Sequence, residues 1–585
     1  MNSDSISTIQ RRFFADRNTE YRPNEVITIN LPAEECALLH GRESFLRCIV
    51  NLVADSGNAI PANLDPAGGG AHSMIDYIQI LDGSGTTVLE ELTNYSQWTG
   101  THHYYSKCQG IQNKHELFEG VAAQTMMPSV TNVFSPYFSD GNAAVEYQQV
   151  EVCLPIYMSG ILYGDRSFPA IAVNGLQIKI YLNDAVRAVQ VAKIPNLITR
   201  RDGQQGLPTT DDLRHTAAYV SPVRANAGPD LTGGPLGFTM QAATPLTVNT
   251  AATTLEVLWK DITGLGAFTN PNNAPAAANL VANETFKSAD NSTALQFVSG
   301  IRVGMHLGYV DDNGVANELG PITAITAGTA SANNIMFTFG SVNAPGTLTV
   351  ASKCPVFVYI PTTTRLSYRV NQVEFMATCV NPPPAYFKTL IKQVTSATGY
   401  SIDIRSFNTT LNNLQKSSVQ QQETIPLTAQ RARGMLMQMY RPVNSIAASF
   451  FQPVSDNLYS YQHVINDKQI PNLPVLVDKE YGLGLESWNA LADDERMKLL
   501  RACKIDVRRE TTPANRFCFG RRLALQGHAF NALKTQVRTT VRFGVTQQVG
   551  GNPRVVAAQS DKLLVTFLCH FRRIVCRPTA CSVVW

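Results

Sequence analysis

Residues 176–182 read Leu-Gln-Ile-Lys-Ile-Tyr-Leu, so that every second side chain is aliphatic. Successive side chains of a β-strand point to opposite faces of a sheet, and this period of two therefore predicts a strand with one buried face. Strands of this kind are typical of antiparallel sheets that pack one face on a core and expose the other to water. The same period recurs in five further segments: 26–31, 46–52, 301–309, 537–543 and 563–571.

Residues that favour turns separate these segments. Asp82-Gly83-Ser84-Gly85, for example, tolerates the positive φ that a hairpin requires. Helical spacing is confined to short stretches such as 387–394 and 485–503. Many short strands between turns favour sandwiches or barrels, and an eight-stranded jelly roll needs about 65–95 residues. The 585 residues therefore predict an all-β chain, with two antiparallel jelly rolls in tandem, a β-rich insertion and a few short helices.

The chain divides into four predicted parts. Residues 1–20 are polar and are predicted to form an extended N-terminal arm. Residues 21–381 are assigned to the first jelly roll, and residues 382–585, which begin with three prolines, to the second roll and a C-terminal tail. Residues 222–361 are poor in charge, yet strand alternation persists within them. They are therefore predicted to be a β domain inserted into the first roll, because surface loops tolerate insertions.

The composition points to large packed surfaces. Hydrophobic residues make up 44% of the chain and charged residues 16%, against about 25% charged in typical domains. This balance excludes a disordered chain. No run of about 18 apolar residues occurs and the N-terminus lacks the apolar core of a secretory signal, so neither a transmembrane helix nor export is expected. The eleven cysteines are accordingly expected to be reduced thiols.

Motifs for catalysis are missing from the sequence. It contains no G-x-S-x-G nucleophile elbow, no G-x-x-x-x-G-K-[ST] phosphate loop and no G-x-G-x-x-G dinucleotide motif. The carboxylate pairs Glu90-Glu91 and Asp493-Asp494 are sequence neighbours and are not expected to face each other across a cleft, as a glycosidase requires. We therefore expect no enzyme activity and no cofactor.

Two clusters could suggest a metal, but neither has the usual spacing of ligands. His102-His103 with His115 has no carboxylate–histidine motif, and these residues are expected at a surface or an interface. Cys569, His570, Cys576 and Cys581 do not form two closely spaced ligand pairs, and buried thiols are expected there. The methionine-rich residues 435–440 are expected to pack in a core or an interface rather than to hold a ligand.

In their order, five segments resemble the double jelly-roll major capsid proteins of virophages, Polinton-like viruses and adintoviruses. They contain Arg-Pro-Asn-Glu-Val-Ile-Thr-Ile-Asn-Leu-Pro, Leu-Asp-Gly-Ser-Gly-Thr-Thr-Val-Leu-Glu-Glu-Leu, Leu-Pro-Ile-Tyr-Met-Ser-Gly, Tyr-Arg-Val-Asn-Gln-Val-Glu-Phe and Arg-Phe-Cys-Phe-Gly, which begin at residues 22, 81, 154, 368 and 516. The resemblance covers most of residues 20–220 and 365–575. Residues 222–361 have no counterpart and are interpreted as a decoration of the outward-facing side.

The resemblance implies a structural role in a virion. A homotrimer of two-roll subunits would form a pseudo-hexagonal capsomer, and capsomers would tile the icosahedral shell of a DNA virus. The implied partners are other copies of the chain, neighbouring capsomers, and penton and minor capsid proteins. Obligate interfaces bury about 2,000–5,000 Å² and are more apolar than ordinary surface, which suits the low charge of this chain.

Positive charge is concentrated at the C-terminal end. Residues 501–585 contain 15 Lys or Arg and 3 Asp or Glu, whereas the whole chain carries a net charge of only +3. We hypothesise an inward basic face that contacts packaged DNA or an internal membrane surface. Its candidate residues are Arg11, Arg12, Arg572, Arg573 and Arg577. In the alternative interpretation, these arginines pair with carboxylates between subunits.

Two other functions compete with a capsid role. A carbohydrate-binding or adhesin-type β-sandwich protein would need an exposed aromatic platform and usually a secretion signal. A β-sandwich glycosidase would need two carboxylates that face each other across one cleft. The sequence reveals neither feature.

Overall fold

The computed structural model describes part of the chain. The described residues are 7–17, 20–54, 62–63, 70–106, 119, 150–158, 160–164, 166–191, 240–241, 246–248, 254–258, 306–310, 316–327, 334–339, 348–350, 355–359, 366–415, 420–427, 429–440, 453, 458–477, 490–507, 517–524, 530–531, 535–543, 547–549, 552–554, 561–577 and 581–584.

The first part of the chain is dominated by strands, with 3-10 turns at Gly41–Glu43, Gly70–Met74 and Ala170–Val173. In chain order its strands and helices are β1 (Ser7–Phe14), β2 (Val26–Pro32), β3 (Leu38–Leu39), β4 (Phe45–Ala54), β5 (Ala62–Asn63), β6 (Ile75–Asp82), β7 (Val88–Thr93), α1 (Tyr95–Ser106), β8 (Val150–Pro155), β9 (Gly175–Leu182), α2 (Ala185–Ala188) and β10 (Gln190–Val191).

Short strands follow, and a long strand then completes the first set. They are β11 (Met240–Gln241), β12 (Leu246–Val248), β13 (Thr254–Leu258), β14 (His306–Val310), β15 (Ala316–Ala327), β16 (Asn334–Phe339), β17 (Leu348–Val350), β18 (Pro355–Tyr359) and β19 (Leu366–Asn381).

The last part begins with a helix, α3 (Pro384–Val394). Its remaining elements are β20 (Tyr400–Leu414), β21 (Gln420–Leu427), β22 (Ala432–Tyr440), β23 (Leu458–Ile465), β24 (Lys468–Leu476), α4 (Ala490–Ala502), β25 (Phe519–Arg522), β26 (Thr535–Phe543), β27 (Gln547–Val549), β28 (Asn552–Arg554), β29 (Lys562–Cys576) and β30 (Cys581–Val584). No helix among the described residues has the length and apolar character needed to cross a membrane.

The first roll consists of two sheets, each with a row of four strands, whose paired strands are all antiparallel; the short strand β3 also pairs with β19. One sheet has the order β1-β19-β4-β8 and the other β2-β9-β6-β7. When the eight strands are counted along the chain, these orders are 1-8-3-6 and 2-7-4-5. Strands that are distant in sequence therefore lie side by side, as in the paired Greek keys of a jelly roll.

The second roll repeats this arrangement. Its sheets have the orders β20-β29-β22-β25 and β21-β26-β23-β24, which again read 1-8-3-6 and 2-7-4-5 along the chain. The two sheets enclose a core that includes Val537, Val541 and Phe543 from β26. The predicted fold class, two antiparallel jelly rolls in tandem, is thus confirmed by the pairing of the strands.

An additional β domain lies between the seventh and eighth strands of the first roll. Six of its strands form one sheet in the order β11-β18-β14-β15-β16-β13, and β12 pairs with β17. At the base of this insertion, the hydroxyl of Tyr368 donates a hydrogen bond of 2.6 Å to the carbonyl oxygen of Asn183. Both residues are buried, so the two ends of the insertion are held together in the body of the first roll.

The longer connections of each roll leave from the same end, because consecutive strands run in opposite directions. In the first roll, the connections after the third, fifth and seventh strands span residues 55–74, 94–149 and 183–365. Those at the opposite end, after the second, fourth and sixth strands, span only 33–44, 83–87 and 156–174. In the second roll the corresponding sets are 441–457, 477–518 and 544–561, against 428–431, 466–467 and 523–534.

The two rolls stand side by side with these ends aligned. The side chain of Arg572, which is paired in register with Ile404, donates to the carbonyl oxygen of Leu89 at 2.9 Å. The hydroxyl of Thr409 donates to the carbonyl oxygen of Thr93 at 3.2 Å. Residue 404 of β20 therefore lies near residue 89 of β7, and residue 409 lies near residue 93. Residue numbers increase in the same direction along both strands, so β20 and β7 are parallel and the corresponding ends of the two rolls are aligned.

The predicted N-terminal arm is wrong for residues 7–14. They form β1, which pairs along its whole length with β19 at the edge of the first sheet. Only Phe13 of this strand is buried among its large apolar side chains, whereas Phe14 is 68% exposed. An edge strand that buries so little shows no clear alternation, and its polar sequence therefore resembles that of an arm.

The core of the first roll generates a stability prediction. Ile178 on β9 is completely buried and Lys179 beside it is partly exposed. We expect Ile178→Ala to destabilise the first roll by about 2–5 kcal/mol, because it removes transfer energy and leaves a cavity. Thermal unfolding monitored by calorimetry would test this, with Lys179→Ala as the control that changes the midpoint little. Equal effects of the two substitutions would contradict the assignment of the buried face.

Candidate functional site

Helix α1 lies between the two rolls and is buried on every side. It follows directly after β7, and its eleven residues 95–105 are all buried. A helix that is buried all round must be packed by neighbours over its whole circumference. Its sequence combines large aromatic residues that fill space with polar residues that find hydrogen-bond partners.

Trp98 joins the helix to the second roll. Its ring centroid lies 4.2 Å from that of Phe407 on β20 and 5.7 Å from that of Phe567 on β29. Its indole nitrogen donates to the carbonyl oxygen of Tyr157 in the first roll at 2.9 Å. Aromatic rings of this size dominate the energetics of packed interfaces. Trp98 therefore packs against one roll while its polar atom is bonded to the other.

Two further contacts continue across the same sheet of the second roll. The amide nitrogen of Gln438 on β22 donates to the hydroxyl oxygen of Thr101 at 2.6 Å. The thiol of Cys518, one residue before β25, donates to the hydroxyl oxygen of Tyr105 at 3.6 Å. The helix thus crosses the sheet in the order of its strands, from β20 and β29 through β22 to β25.

This sheet of the second roll is buried on both faces. The methionines of β22 belong to the core of the second roll: Met435, Met437 and Met439. The alternate apolar side chains belong to the core shared with the first roll: Leu436 and Tyr440. The expectation that residues 435–440 pack in a core or an interface is therefore confirmed, and they do both.

The predicted basic face is corrected at Arg572. This residue is 1% exposed, and its guanidinium donates to the carbonyl oxygen of Leu89 in the first roll. Burial lowers the pKa of Arg572, and the negative charges of Glu91 and Glu90 oppose that effect. Strand β29 is buried between two rolls at this point, and Arg572 therefore connects the rolls and cannot contribute to a surface.

The other four predicted arginines remain at least partly accessible. Arg573 forms two bonds with the carboxylate of Asp403, of 2.8 and 3.1 Å. Arg11 on β1 lies 3.9 Å from a carboxylate oxygen of Glu35. Arg12 and Arg577 are exposed, on β1 and directly after β29 respectively. The carboxylates that pair with Arg11 and Arg573 in the structure, Glu35 and Asp403, belong to the same chain.

A different group of arginines surrounds Phe571. The guanidinium carbons of Arg405, Arg431 and Arg433 lie 5.6, 5.1 and 5.6 Å from the centroid of its ring. These distances allow cation–π attraction. Burial and the nearby charge of Arg405 lower the pKa of Arg433. We call the three arginines, Arg405, Arg431 and Arg433, together with Phe571, the arginine cluster.

The carboxylate of Asp403 lies beside the arginine cluster. Its oxygen Oδ2 is 2.9 Å from the guanidinium of Arg431. Arg573 and then Arg431 lower its pKa to about 2, so that it stays ionised. The sequence did not predict the cluster because its members lie on β20 and β29, on β22, and directly before β22, and these strands meet only in the sheet. All of them lie towards the end of the second roll that has the short connections.

Glu90 on β7 is a buried carboxylate at the same junction. It is 2% exposed and accepts hydrogen bonds from the backbone nitrogens of Gly160 at 3.0 Å and Ile161 at 2.6 Å. Burial raises its pKa to about 7, although these two donors and Arg572 favour its charged form. Glu90 was predicted to be a solvent or interface group, and the structure places it out of solvent, at the contact between the rolls.

A cluster of polar side chains lies where α1 meets the first roll. The carboxylate oxygen Oε2 of Glu119 is 3.0 Å from Nε2 of His72 and 3.0 Å from Nε2 of His103. The hydroxyl of Tyr157 donates to the other oxygen, Oε1, at 2.9 Å. All four residues are buried. We call His72, His103 and Glu119 the histidine–glutamate cluster.

The sequence identified only one member of the histidine–glutamate cluster. His103 was grouped with His102 and His115, but the structure brings it to His72 and Glu119 instead. His115 lies outside the described residues, and the ring of His102 packs against that of Tyr157 at a tilt of 30°, with centroids 4.7 Å apart. No spacing rule joins residues 72, 103 and 119, because they come from a 3-10 turn, a helix and a long connection.

The cysteine and histidine residues near the C-terminus do not converge on one point. The thiol of Cys569 donates to the carbonyl oxygen of Ala502 at 3.7 Å, whereas Nε2 of His570 lies 3.1 Å from the amide oxygen of Asn408. Cys576 and Cys581 are opposite each other in the pairing of β29 with β30. Among the described residues, only the histidine–glutamate cluster brings three metal-ligating side chains together.

No protein-family model and no curated protein matches the chain. Among solved structures, it is similar to the Faustovirus major capsid protein, with 8% identity, 98% of this chain and 92% of that chain covered, and a TM-score of 0.45. It is also similar to the mavirus major capsid protein (8% identity, 98% and 90% covered, TM-score 0.38) and to the PBCV-1 virus capsid (6% identity, 100% and 98% covered, TM-score 0.43). Identities and scores this low do not carry the roles of those proteins to this chain.

The pKa of Glu90 generates a prediction about stability and pH. Because its pKa rises from 4.5 to about 7 on folding, the folded state binds more protons than the unfolded state between these values. Stability should therefore fall as the pH rises from about 4.5 to 7. We expect Glu90→Gln to flatten this part of the profile in melting temperatures measured between pH 5 and 8. The exposed Glu34→Gln control should keep the wild-type profile, and an unchanged profile for Glu90→Gln would contradict the assignment.

Proposed function

We propose that this chain is the major capsid protein of an icosahedral DNA virus and that it acts by assembly rather than by catalysis. The observation that carries the proposal is the pair of rolls with identical strand order, side by side and aligned end to end. Three copies around a threefold axis would present six similar rolls, which gives a capsomer a hexagonal outline. Closed symmetric assembly of one repeated unit is the usual way to build a large shell from one chain.

The unequal ends of the rolls suggest how the capsomer is oriented. The end with the long connections carries the inserted β domain, and the other end carries the short connections and α3, which joins the rolls. Loops and insertions are tolerated where no neighbour must pack on them. We therefore place the long-connection end outside the shell and the short-connection end inside.

Exposed apolar side chains on sheet edges suggest where copies meet. Leu473 and Leu476 on β24 are 78% and 41% exposed, and Phe14 on β1 is 68% exposed. Both strands are edge strands of their sheets. Edge strands with apolar side chains readily associate with other chains unless they are covered. We infer that neighbouring copies of this chain cover these edges in the shell, where penton and minor capsid proteins would be further partners.

We also propose an inward basic face, from which the buried Arg572 is left out and to which the arginine cluster is added. The arginine cluster and Arg573 lie at the short-connection end, and Asp403 is the carboxylate bonded to both Arg431 and Arg573. Several guanidinium groups around one carboxylate leave an excess of positive charge. We propose packaged DNA as the polyanion that this face contacts, because regularly spaced phosphates bind clustered arginines.

Assembly can be tested with the purified full-length chain. We expect a trimer in size-exclusion chromatography with light scattering and hexagonal particles in electron microscopy. Leu473→Asp should reduce the trimer or its higher assemblies without lowering the melting temperature, because it places a charge on an apolar contact. Gln469→Asp on the same exposed strand is the matched control. A wild-type monomer that binds glycans would overturn the proposal in favour of an adhesin.

The basic face can be tested by the salt dependence of DNA binding. Each phosphate contact contributes about 0.9 to the slope of log affinity against log salt concentration. We expect Arg431→Ala combined with Arg433→Ala to lower this slope by about 2. Arg538→Ala, which removes an exposed arginine paired with Asp467, is the control. An unchanged slope, or binding to anionic vesicles without binding to DNA, would overturn this assignment.

A further inference from the structure

We propose that His72, His103 and Glu119 bind a divalent metal ion of the zinc class. This inference does not depend on the proposed capsid function, since it rests only on the histidine–glutamate cluster. One ligand atom from each residue lies within 4.8 Å of the other two. The three side chains are 0%, 3% and 1% exposed, so the site is enclosed by protein.

The distances suit a shared ion. Both imidazole nitrogens lie 3.0 Å from the same carboxylate oxygen of Glu119. Ligand atoms bound at about 2.0–2.1 Å around a tetrahedral zinc ion are separated by roughly 3.3 Å. Each of these two nitrogen-to-oxygen distances would therefore need to lengthen by only a few tenths of an ångström to admit an ion.

The types of ligand select the class of metal. Two imidazoles and one carboxylate form a set that zinc commonly uses, whereas calcium and magnesium prefer oxygen ligands alone. Three protein ligands leave a fourth position on a tetrahedral ion. The hydroxyl of Tyr157 donates to the second oxygen of Glu119 at 2.9 Å and so orients the carboxylate, as the outer partners of metal-binding carboxylates do.

Tyr95 provides the outer support that metal-binding histidines usually have. Its hydroxyl oxygen is 3.2 Å from Nδ1 of His72 and also accepts the backbone N–H of Tyr157 at 3.1 Å. With the His72 proton on Nδ1 and directed to Tyr95, Nε2 is left with a lone pair for the ion. Such bonds from the second ring nitrogen orient the imidazole and fix its tautomer.

The site would join three parts of the chain that are distant in sequence. His72 lies in the turn before β6, His103 lies on α1, and Glu119 lies in the connection between α1 and β8. Metal binding stabilises the folded state, because the ligands come together only there. An ion here would therefore fasten that long connection to the helix on which the contact between the rolls depends.

The metal content of untagged full-length protein tests the proposal directly. We expect about one equivalent of zinc per chain by mass spectrometry after expression in zinc-supplemented medium. Treatment with a chelator should remove the zinc and lower the melting temperature, and added zinc should restore it. Cobalt in place of zinc should give the visible absorption of a tetrahedral site.

Variants of adjacent residues supply the control. His103→Ala and Glu119→Gln should both lose the zinc, and Glu119→Gln keeps the size of the side chain if His103→Ala fails to fold. His102→Ala, which removes a buried neighbour on the same helix, should retain it. Wild-type protein that holds neither zinc nor cobalt would overturn the proposal and leave histidine-to-carboxylate hydrogen bonds as the whole interaction. Retention of zinc by Glu119→Gln and His103→Ala would overturn it as well.

Discussion

The burial of α1 between two β-sheets is the constraint on which the rest of the structure depends. A helix packed on every side cannot shift without disturbing both rolls, and Trp98 contacts one while it bonds to the other. Because the helix packs on the sheet β20-β29-β22-β25 of the second roll, that sheet has two buried faces. Arg572 and Glu90 are buried for the same reason, since they lie where the two rolls meet.

Alternation predicted the strands that bury one face. Residues 176–182 form part of β9 and 563–571 lie within β29, and together with the turn residues they were sufficient for the fold class. The same rule failed at Ser7–Phe14, because an edge strand can satisfy its backbone by pairing while its side chains remain polar. It also could not identify Arg572 as buried, because the face of β29 that carries Arg572 is covered by the first roll, which is distant in sequence.

The polar sites were less predictable than the strands. His103 was recognised as a candidate, but its partners His72 and Glu119 come from a turn and a connection without periodic sequence. The arginine cluster depends on the pairing of β20 and β22 with β29, which the jelly-roll order brings together across more than a hundred residues. Local sequence patterns predict individual strands and helices. These polar sites form only when the fold brings together residues that are far apart in the sequence.

The hydrogen bond between Tyr368 and Asn183 closes the base of the inserted domain inside the first roll. Because both ends of the insertion are anchored there, its length and sequence can change without altering the register of β9 or β19. The cost of lengthening a loop whose ends are already joined grows only slowly with its length. Natural selection, or an engineer who wishes to display a foreign peptide, could therefore replace this domain while the two-roll scaffold stays the same.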